Sequence, residues 1–293
     1  MPKPLRLALL QHACDPAPEV NLRQAEEMIR EAADRGATLV VTQELFRSQY
    51  FCDREDPAVF DLAEPIPGPS TRALGSLAQE LKVWISASLF EKRAPGLYHN
   101  TSVLIDPAGQ LHGKYRKMHI PDDPSYLEKY YFTPGDLGFS AHRLGESDAD
   151  PSLGMLVCWD QWFPEAARLT ALQGAELLLY PTAIGGHADD SVEDHADQRD
   201  AWVTIQRSHA IANGVFVAAA NRVGTEGPNT FWGTSFVADP LGRVLAQAST
   251  DQPEVLIADL DLAQVEHHRR TWNLFFRDRR IDAYAGLSQR WGR

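Results

Sequence analysis

The chain has 293 residues, of which 44% are hydrophobic and 23% charged, as is typical of globular proteins. Its formal net charge of −12 is the wrong sign for a protein that must neutralise nucleic-acid phosphates. The apolar runs, such as Ala175–Tyr180, are far shorter than the roughly 20 residues of a membrane helix, and the first residues do not resemble a signal peptide. We therefore expect a soluble, cytoplasmic protein that binds neither nucleic acid nor a membrane.

The first part of the sequence predicts alternating strands and helices. Leu5–Gln11 and Thr38–Thr42 are apolar enough to be buried strands of a sheet covered by helices. Between them, apolar residues at helical spacing predict a helix with Asn21 as its N-cap and Gly36 as its stop. The next predicted elements are a helix over Ser70–Leu81 and strands at Val83–Phe90, Asn100–Ile105 and Leu111–Tyr115, with a turn at Asp106–Gly109.

The same order of elements starts again after an irregular stretch from about Ile120 to Leu137. Gly36–Val41 resembles Gly174–Leu179, and Thr101–Gly109 resembles Thr234–Gly242 at a nearly equal offset. We therefore predict an α/β fold in which two similar halves form one domain over residues 1–293, a four-layer α-β-β-α sandwich. The predicted elements of the second half are strands at Leu153–Val157, Glu176–Tyr180, Val215–Ala220 and Gly233–Asp239 and helices at Pro164–Gln173 and Arg199–Asn213.

The strongest chemical signal is Cys158, which closes an apolar strand shortly before Pro164 starts a helix. A turn of this kind exposes a side chain and aims backbone N–H groups at it, and a nearby helix N-terminus lowers the pKa of a thiol. The alternative is a buried cysteine that acts as a small hydrophobic residue. Three cysteines without a CxxC pair predict neither a disulfide framework nor a zinc cluster, and we expect Cys14 and Cys52 to be inert.

Two charged residues stand at the ends of other predicted strands. Glu44 follows Thr38–Thr42, where a partly desolvated carboxylate is suited to general-base catalysis, although a solvated loop acid is an equal alternative. Lys117 follows the strand after the first hairpin, where it could balance Glu44 and stabilise an oxyanion, or could simply be solvated. Its neighbours Arg116 and His119 are interpreted as structural.

Together these motifs resemble the nitrilase, or carbon–nitrogen hydrolase, superfamily over nearly the whole chain. They are Glu44 after a strand, Arg116-Lys117-x-His119, and Cys158-Trp-Asp160 with Phe163-Pro-Glu165. The resemblance implies the sandwich of nitrilase type, no cofactor, and a catalytic triad of Glu44, Lys117 and Cys158 with Glu128 as a supporting glutamate. No metal site is predicted, because His187, His195 and the pair His267-His268 lack ligand spacing with nearby cysteines.

Within the superfamily, several stretches resemble the branch that acts on N-carbamoylputrescine. The resemblance implies a small cationic carbamoyl-amine substrate and a place in polyamine synthesis from agmatine. Trp159, beside the thiol, is the best candidate to line the substrate slot, and the other substrate-binding candidates lie in the resembling stretches. The stretches are Gln43–Phe46 with Tyr50–Cys52, Lys117–Asp122, Tyr131–Asp136, Cys158–Glu165, Tyr180–Gly185 and Phe276–Arg280, and the candidates in them are Tyr50, Thr182 and Ala183.

One position departs from that branch, which carries an acidic residue where this chain has His187. A nearby carboxylate would have to replace it in binding the distal ammonium, unless the acidic run is simply a solvated loop. The candidates for this role are Asp189, Asp190, Glu193 and Asp194.

Other functions remain open at this point. A β-ureidopropionase, another amidase or carbamoylase, or a true nitrilase would share the same chemistry, and an inactive scaffold on the same fold is the non-enzymatic alternative. The resemblance also implies a homo-oligomer, a dimer or larger. The C-terminal extension, about residues 262–293, is apolar and then basic over 271–280, so it would either dock on a partner subunit or cover its own core.

Overall fold

The computed structural model describes residues 4–272 and 274–291, which form layers of helices and sheets. The predicted single domain over residues 1–293 also includes positions 1–3, 273 and 292–293, which lie outside the described residues. The helices are α1 Pro18–Asp34, α2 Pro69–Leu81, α3 Glu128–Tyr131, α4 Pro164–Leu172, α5 Val192–Asn213 and α6 Ala263–Thr271. The strands are β1 Leu5–Gln11, β2 Leu39–Val41, β3 Trp84–Ala94, β4 Leu97–Ile105, β5 Leu111–Arg116, β6 Ala141–Arg143, β7 Ser152–Met155, β8 Leu177–Pro181, β9 Gly185–His187, β10 Phe216–Ala220, β11 Val223–Glu226, β12 Asn229–Trp232, β13 Phe236–Ala238, β14 Val244–Gln247 and β15 Glu254–Leu260.

Two six-stranded sheets repeat one pairing pattern. The first sheet has the order β15-β1-β2-β3-β4-β5, and the second sheet, taken from its opposite edge, has the order β6-β7-β8-β10-β13-β14. In both, the pairings run antiparallel, parallel, parallel, antiparallel, antiparallel. The similar sequence segments fall on equivalent positions, before β2 and β8 and along the β4–β5 and β13–β14 hairpins. The predicted relation between the two halves is therefore confirmed.

The main core lies between the two sheets. Strand β1 shows how the layers arise, because its side chains alternate between faces. Leu7 and Leu9 join the core shared with the second sheet, whereas Ala8 and Leu10 pack towards α1 and α2. On the other side, Trp202 of α5 and several alanines of α4 cover the second sheet. The predicted α-β-β-α sandwich is confirmed.

Two local predictions were wrong, and one small sheet was not predicted. Asn21 does not cap α1, which begins at Pro18 after Ala17; its buried amide instead bonds backbone groups of Asp15 and Arg47. Helix α5 begins at Val192, seven residues before the predicted start. The third difference is a small sheet of order β11-β12-β9, whose strands the sequence patterns did not indicate.

The C-terminal extension forms α6 and three short 3-10 turns. Phe276 packs against the main core and lies under the guanidinium groups of Arg168 and Arg269, so part of the extension covers its own chain. Trp272 and Trp291 are exposed, and docking on a partner subunit stays a prediction. Among the described residues, no helix combines the length and hydropathy needed to cross a bilayer.

Candidate active site

The functional candidates converge where strands of the two sheets end. Glu44 comes three residues after β2 and Lys117 directly after β5, both from the first sheet. Cys158 comes three residues after β7, from the second sheet. Glu44 and Lys117 have no exposed surface, and Cys158 is 4% exposed. Ionic groups so deeply buried must compensate one another, because burial of an unpaired charge is very costly.

Lys117 is the centre of this compensation. Its Nζ lies 2.9 Å from Glu44 Oε1 and 2.7 Å from Glu128 Oε2. Burial alone would lower the pKa of Lys117, but the two carboxylates raise it well above its usual value, so the ammonium stays charged. Two of the three ammonium donors are used by the carboxylates, and one remains for another acceptor.

Glu44 is held by both its side chain and its backbone. Its Oε1 accepts a hydrogen bond from Asn100 Nδ2 at 2.7 Å as well as the one from Lys117. Its Oε2 is buried and has no hydrogen-bond partner among the described residues. The carbonyl of Glu44 accepts from Arg222 Nη2 at 2.6 Å, and the next residue, Leu45, has a left-handed φ of 47°. The arrangement leaves one carboxylate oxygen available to take up a proton.

Glu128 completes the ionic cluster. Its Oε1 accepts from the hydroxyl of Tyr50 at 2.8 Å, while Oε2 accepts from Lys117. Burial raises the pKa of Glu128 to about 7; Lys117 opposes the rise and the charge of Glu44 adds to it. Both oxygens of Glu128 thus receive a donor, which is the pattern expected for the ionised form.

Cys158 stands on a strained turn. Its φ of 42° is left-handed, a conformation that costs a non-glycine residue about 1–3 kcal/mol and occurs at functional sites. It opens the 3-10 turn Cys158–Trp162, and α4 starts only at Pro164. The thiol is thus separated from the helix N-terminus that the sequence placed beside it.

The predicted lowering of the Cys158 pKa was wrong. Burial raises the pKa of the thiol well above its usual value, and the negative charge of Glu44 raises it further. Lys117 and the backbone N–H of Ala183 act in the opposite direction without reversing it. The resting thiol is therefore protonated and needs a base. Burial also raises the pKa of Cys52, and that of Cys14 to about 11.

Asp160 holds the thiol turn in place. Its Oδ2 accepts from the backbone N–H of Val157 at 2.9 Å and from the hydroxyl of Tyr115 at 2.8 Å. Its Oδ1 accepts from the backbone N–H of His119 at 3.1 Å and contacts the ring Nδ1 of His119 at 2.7 Å. One buried carboxylate thus joins the turn of Cys158 to the loop that follows β5.

A cavity of about 380 Å³ opens beside the thiol turn. Its walls include one tyrosine and three tryptophans, and its acidic lining residues are Asp123 and Asp190. Among the described residues, no lysine or arginine lines it. A cavity of this size suits a small molecule. The lining includes Tyr126, Trp159, Trp162, Ile184, His187 and Trp232.

The four predicted substrate-binding residues occupy different positions. Trp159 lines the cavity, and Ala183 presents its N–H to the Cys158 thiol. Thr182 is buried, with its hydroxyl donating to the carbonyl of Tyr180 at 3.0 Å. Tyr50 is buried with its hydroxyl on Glu128. The geometry therefore puts Tyr50 in the ionic cluster and the backbone after β8 next to the thiol.

A sequence model of the family described as carbon–nitrogen hydrolase matches residues 6–270 of the chain. The chain belongs to the carbon–nitrogen hydrolase family. It is 44% identical to an N-carbamoylputrescine amidase of Solanum lycopersicum, over 96% of this chain and 94% of that protein. It is 38% identical to a citrullinase of Francisella tularensis, over 98% and 99%. A crystal structure of a carbon–nitrogen hydrolase from Helicobacter pylori G27 aligns with a TM-score of 0.94 at 46% identity, covering 99% and 100%.

This carbon–nitrogen hydrolase is thus an amidohydrolase, and its structure adds residues that the sequence analysis did not single out. Asn100 and Arg222 both hold Glu44, and Asp160 holds the thiol turn. Arg222 follows the apolar strand β10 by two residues, much as Glu44 follows β2 by three, so its position at a strand end could have pointed to it. Asn100 lies inside β4, and only its contact with Glu44 distinguishes it from other strand residues.

Proposed function

We propose that this hydrolase converts N-carbamoylputrescine into putrescine, carbon dioxide and ammonia through a cysteine thiol-acyl intermediate. The cavity beside Cys158 carries the proposal, because it combines aromatic walls with two carboxylates and offers no lysine or arginine to an anionic substrate among the described residues. Attraction between opposite charges favours a ureido substrate with a distal ammonium. The similarity to the tomato N-carbamoylputrescine amidase supports the same substrate.

In the first step, Glu44 Oε2 takes the proton of the Cys158 thiol as the sulfur attacks the ureido carbon. The carbonyl oxygen becomes an oxyanion, which the third N–H of Lys117 and the backbone N–H following Cys158 stabilise, at about 2.7–4 kcal/mol for each donor. The bond to the terminal nitrogen then breaks. Ammonia leaves with the proton returned by Glu44, and the aminobutyl-carbamoyl group remains on sulfur.

In the second step, water attacks the same carbon while Glu44 again accepts a proton. Glu128 keeps Lys117 in place between the two carboxylates during this exchange. The carbon–sulfur bond breaks, the thiol recovers its proton, and the released carbamate decomposes to carbon dioxide and putrescine. Putrescine would then be available to polyamine synthesis.

Citrulline is the second candidate, since a relative of 38% identity is a citrullinase. Citrulline has the same ureido chain as N-carbamoylputrescine and differs by a carboxylate beside the distal amine. Asp123 and Asp190 would repel that carboxylate. The same argument disfavours N-carbamoyl-β-alanine, the substrate of a β-ureidopropionase.

The test is ammonia release from N-carbamoylputrescine, citrulline and N-carbamoyl-β-alanine, each with the wild type and with Cys158→Ala. We expect a strong preference of kcat/KM for N-carbamoylputrescine, and no turnover by the variant. Preference for citrulline or for the β-ureido acid would agree with an amidohydrolase but would exclude N-carbamoylputrescine as its substrate. Substantial turnover by folded Cys158→Ala would reject the nucleophile.

A further inference from the structure

Four acidic residues follow β9, two in the loop and two in the first turn of α5, and the structure separates their roles. Glu193 is exposed, and Asp194 forms a capping box with Ser191 at the start of α5. Asp189 has a side chain that is 92% exposed and lies 3.6 Å from the ring of His187. Asp190 is half-buried and lines the cavity. Of the four, only Asp190 is in a position to meet a substrate.

The orientation of Asp190 is fixed by the edge of the small sheet. Its Oδ2 accepts from the backbone N–H of His187 at 2.9 Å, which leaves Oδ1 available. Asp123 also lines the cavity, but it is exposed, so water and salt screen its charge more strongly. A half-buried carboxylate of fixed orientation therefore dominates the charge of this wall.

A second acceptor lines the same cavity as Asp190. Asn229 pairs with His187 across β12 and β9, is fully buried, and also lines the cavity. Its Nδ2 donates to the carbonyl of Ser125 at 3.1 Å, but its Oδ1 has no partner among the described residues. A buried acceptor without a donor is costly, and a ligand that brings N–H groups would satisfy it.

We propose that Asp190 and Asn229 bind the distal ammonium of the substrate, a proposal that rests on the proposed function. Asp190 is one of the four acids that the sequence marks as candidates for this role. Trp159 and Trp232 line the same cavity, and aromatic rings attract a cation. The subsite recognises a primary ammonium at the end of a short alkyl chain.

The experiment compares N-carbamoylputrescine with N-butylurea, which has the same ureido chain without the ammonium. Asp190→Asn is the main variant, because an asparagine oxygen can still accept from the N–H of His187. Asp189→Asn is the matched control, since it removes the same charge one residue away and outside the cavity.

For Asp190→Asn we expect kcat/KM for N-carbamoylputrescine to fall about ten- to hundredfold, the range for loss of a hydrogen bond to a charged group, mainly through KM. The rate with N-butylurea should not change, and Asp189→Asn should behave as the wild type. Asn229→Leu should lower kcat/KM for the cationic substrate alone, by a smaller factor.

Failure of the ammonium subsite and failure of the proposed function give different results. If the wild type prefers N-carbamoylputrescine to N-butylurea and folded Asp190→Asn keeps that preference, the subsite is wrong and the proposed function stands. If the wild type hydrolyses both compounds equally well, the protein has no ammonium subsite, and the proposed substrate falls with it. An equal fall in kcat/KM for N-carbamoylputrescine in Asp189→Asn would also overturn the subsite. It would show that the net charge of this segment matters, and not the position of Asp190.

Discussion

The first and second sheets share one order of pairings, but the residues that follow their strands differ in charge. The first sheet supplies the ionic groups Glu44 and Lys117. The second sheet supplies a neutral thiol at Cys158 and the backbone N–H of Ala183 that faces it. Strands β2 and β8 hold equivalent positions in the two sheets, yet one is followed by the carboxylate of Glu44 and the other by the N–H of Ala183. The loops after strands can vary in this way without disturbing the layers.

This division predicts that substitutions in the two sheets change the free energy of unfolding by different amounts. Removal of one charged residue of the first sheet should destabilise the fold, because its buried partner is then left uncompensated. The thiol from the second sheet is neutral, so its removal leaves no buried charge without a partner. Arg222 connects the two sides, because it follows β10 of the second sheet and bonds the carbonyls of Glu44 and Leu45.

The largest effect is expected for Lys117→Met, which leaves Glu44 and Glu128 buried without a cation. Turnover should be lost, and the free energy of unfolding should fall by about 3–5 kcal/mol. Cys158→Ala should also lose turnover, but its free energy of unfolding should change by only about 1 kcal/mol. Denaturant unfolding of both variants measures the contrast; equal stabilities would contradict the division between the sheets.

Glu44→Gln tests the base of the first sheet without changing side-chain size. Because Oε2 is the free oxygen, we expect kcat to fall by roughly 10²–10⁴, the range for loss of general-base catalysis. Glu55→Gln, at an exposed glutamate, is the control and should behave as the wild type. A wild-type kcat in Glu44→Gln would make Glu44 a structural residue.

Arg222→Lys tests the link between the two sides. A lysine keeps the charge but cannot make the several directed hydrogen bonds of the guanidinium. Slight displacement of Glu44 should lower kcat by about 10²-fold. Arg207→Lys is the control, because Arg207 also bonds a carbonyl, that of Gly242, away from the site. If kcat is unchanged in folded Arg222→Lys, the base does not depend on this contact.

The smallest effect is a change in pH dependence. The pKa of Glu128 is raised to about 7, and its ionised form accepts from both Tyr50 and Lys117. Protonation below that pH would leave Glu44 alone to balance Lys117, so kcat should rise with pH through about 7. Glu128→Gln should remove this limb from the pH–rate profile. A limb that persists unchanged in the variant would have to come from another group.

The sequence predicted the layers well because they depend on local patterns and on a repeat. Similar segments before β2 and β8 indicated two equivalent halves, and the structure places them on equivalent strands. It missed the start of α5 because that turn is polar and is stabilised by the Ser191–Asp194 capping box rather than by apolar spacing. It missed β9 because two of its three residues are glycines whose pairing with β12 is long-range.

The site was harder to predict for an electrostatic reason. The sequence singled out Glu44, Lys117, Glu128 and Cys158, and the structure brings Glu128 of α3 together with the other three at the strand ends. It gave the wrong direction for the pKa of the thiol. A helix N-terminus can be read from Pro164, whereas complete burial beside a carboxylate depends on both sheets at once. Likewise, only the fold separates Asp190 from the other acids of its loop.

The central claim is that the Cys158 sulfur forms a covalent intermediate with the ureido carbon. Rapid acid quenching during turnover of N-carbamoylputrescine, followed by peptide mass mapping, tests it directly. We expect the mass of an aminobutyl-carbamoyl group on the peptide that contains Cys158, and none on the peptides of Cys14 or Cys52. An adduct on another residue, or turnover of N-carbamoylputrescine with no adduct on the Cys158 peptide, would contradict the account.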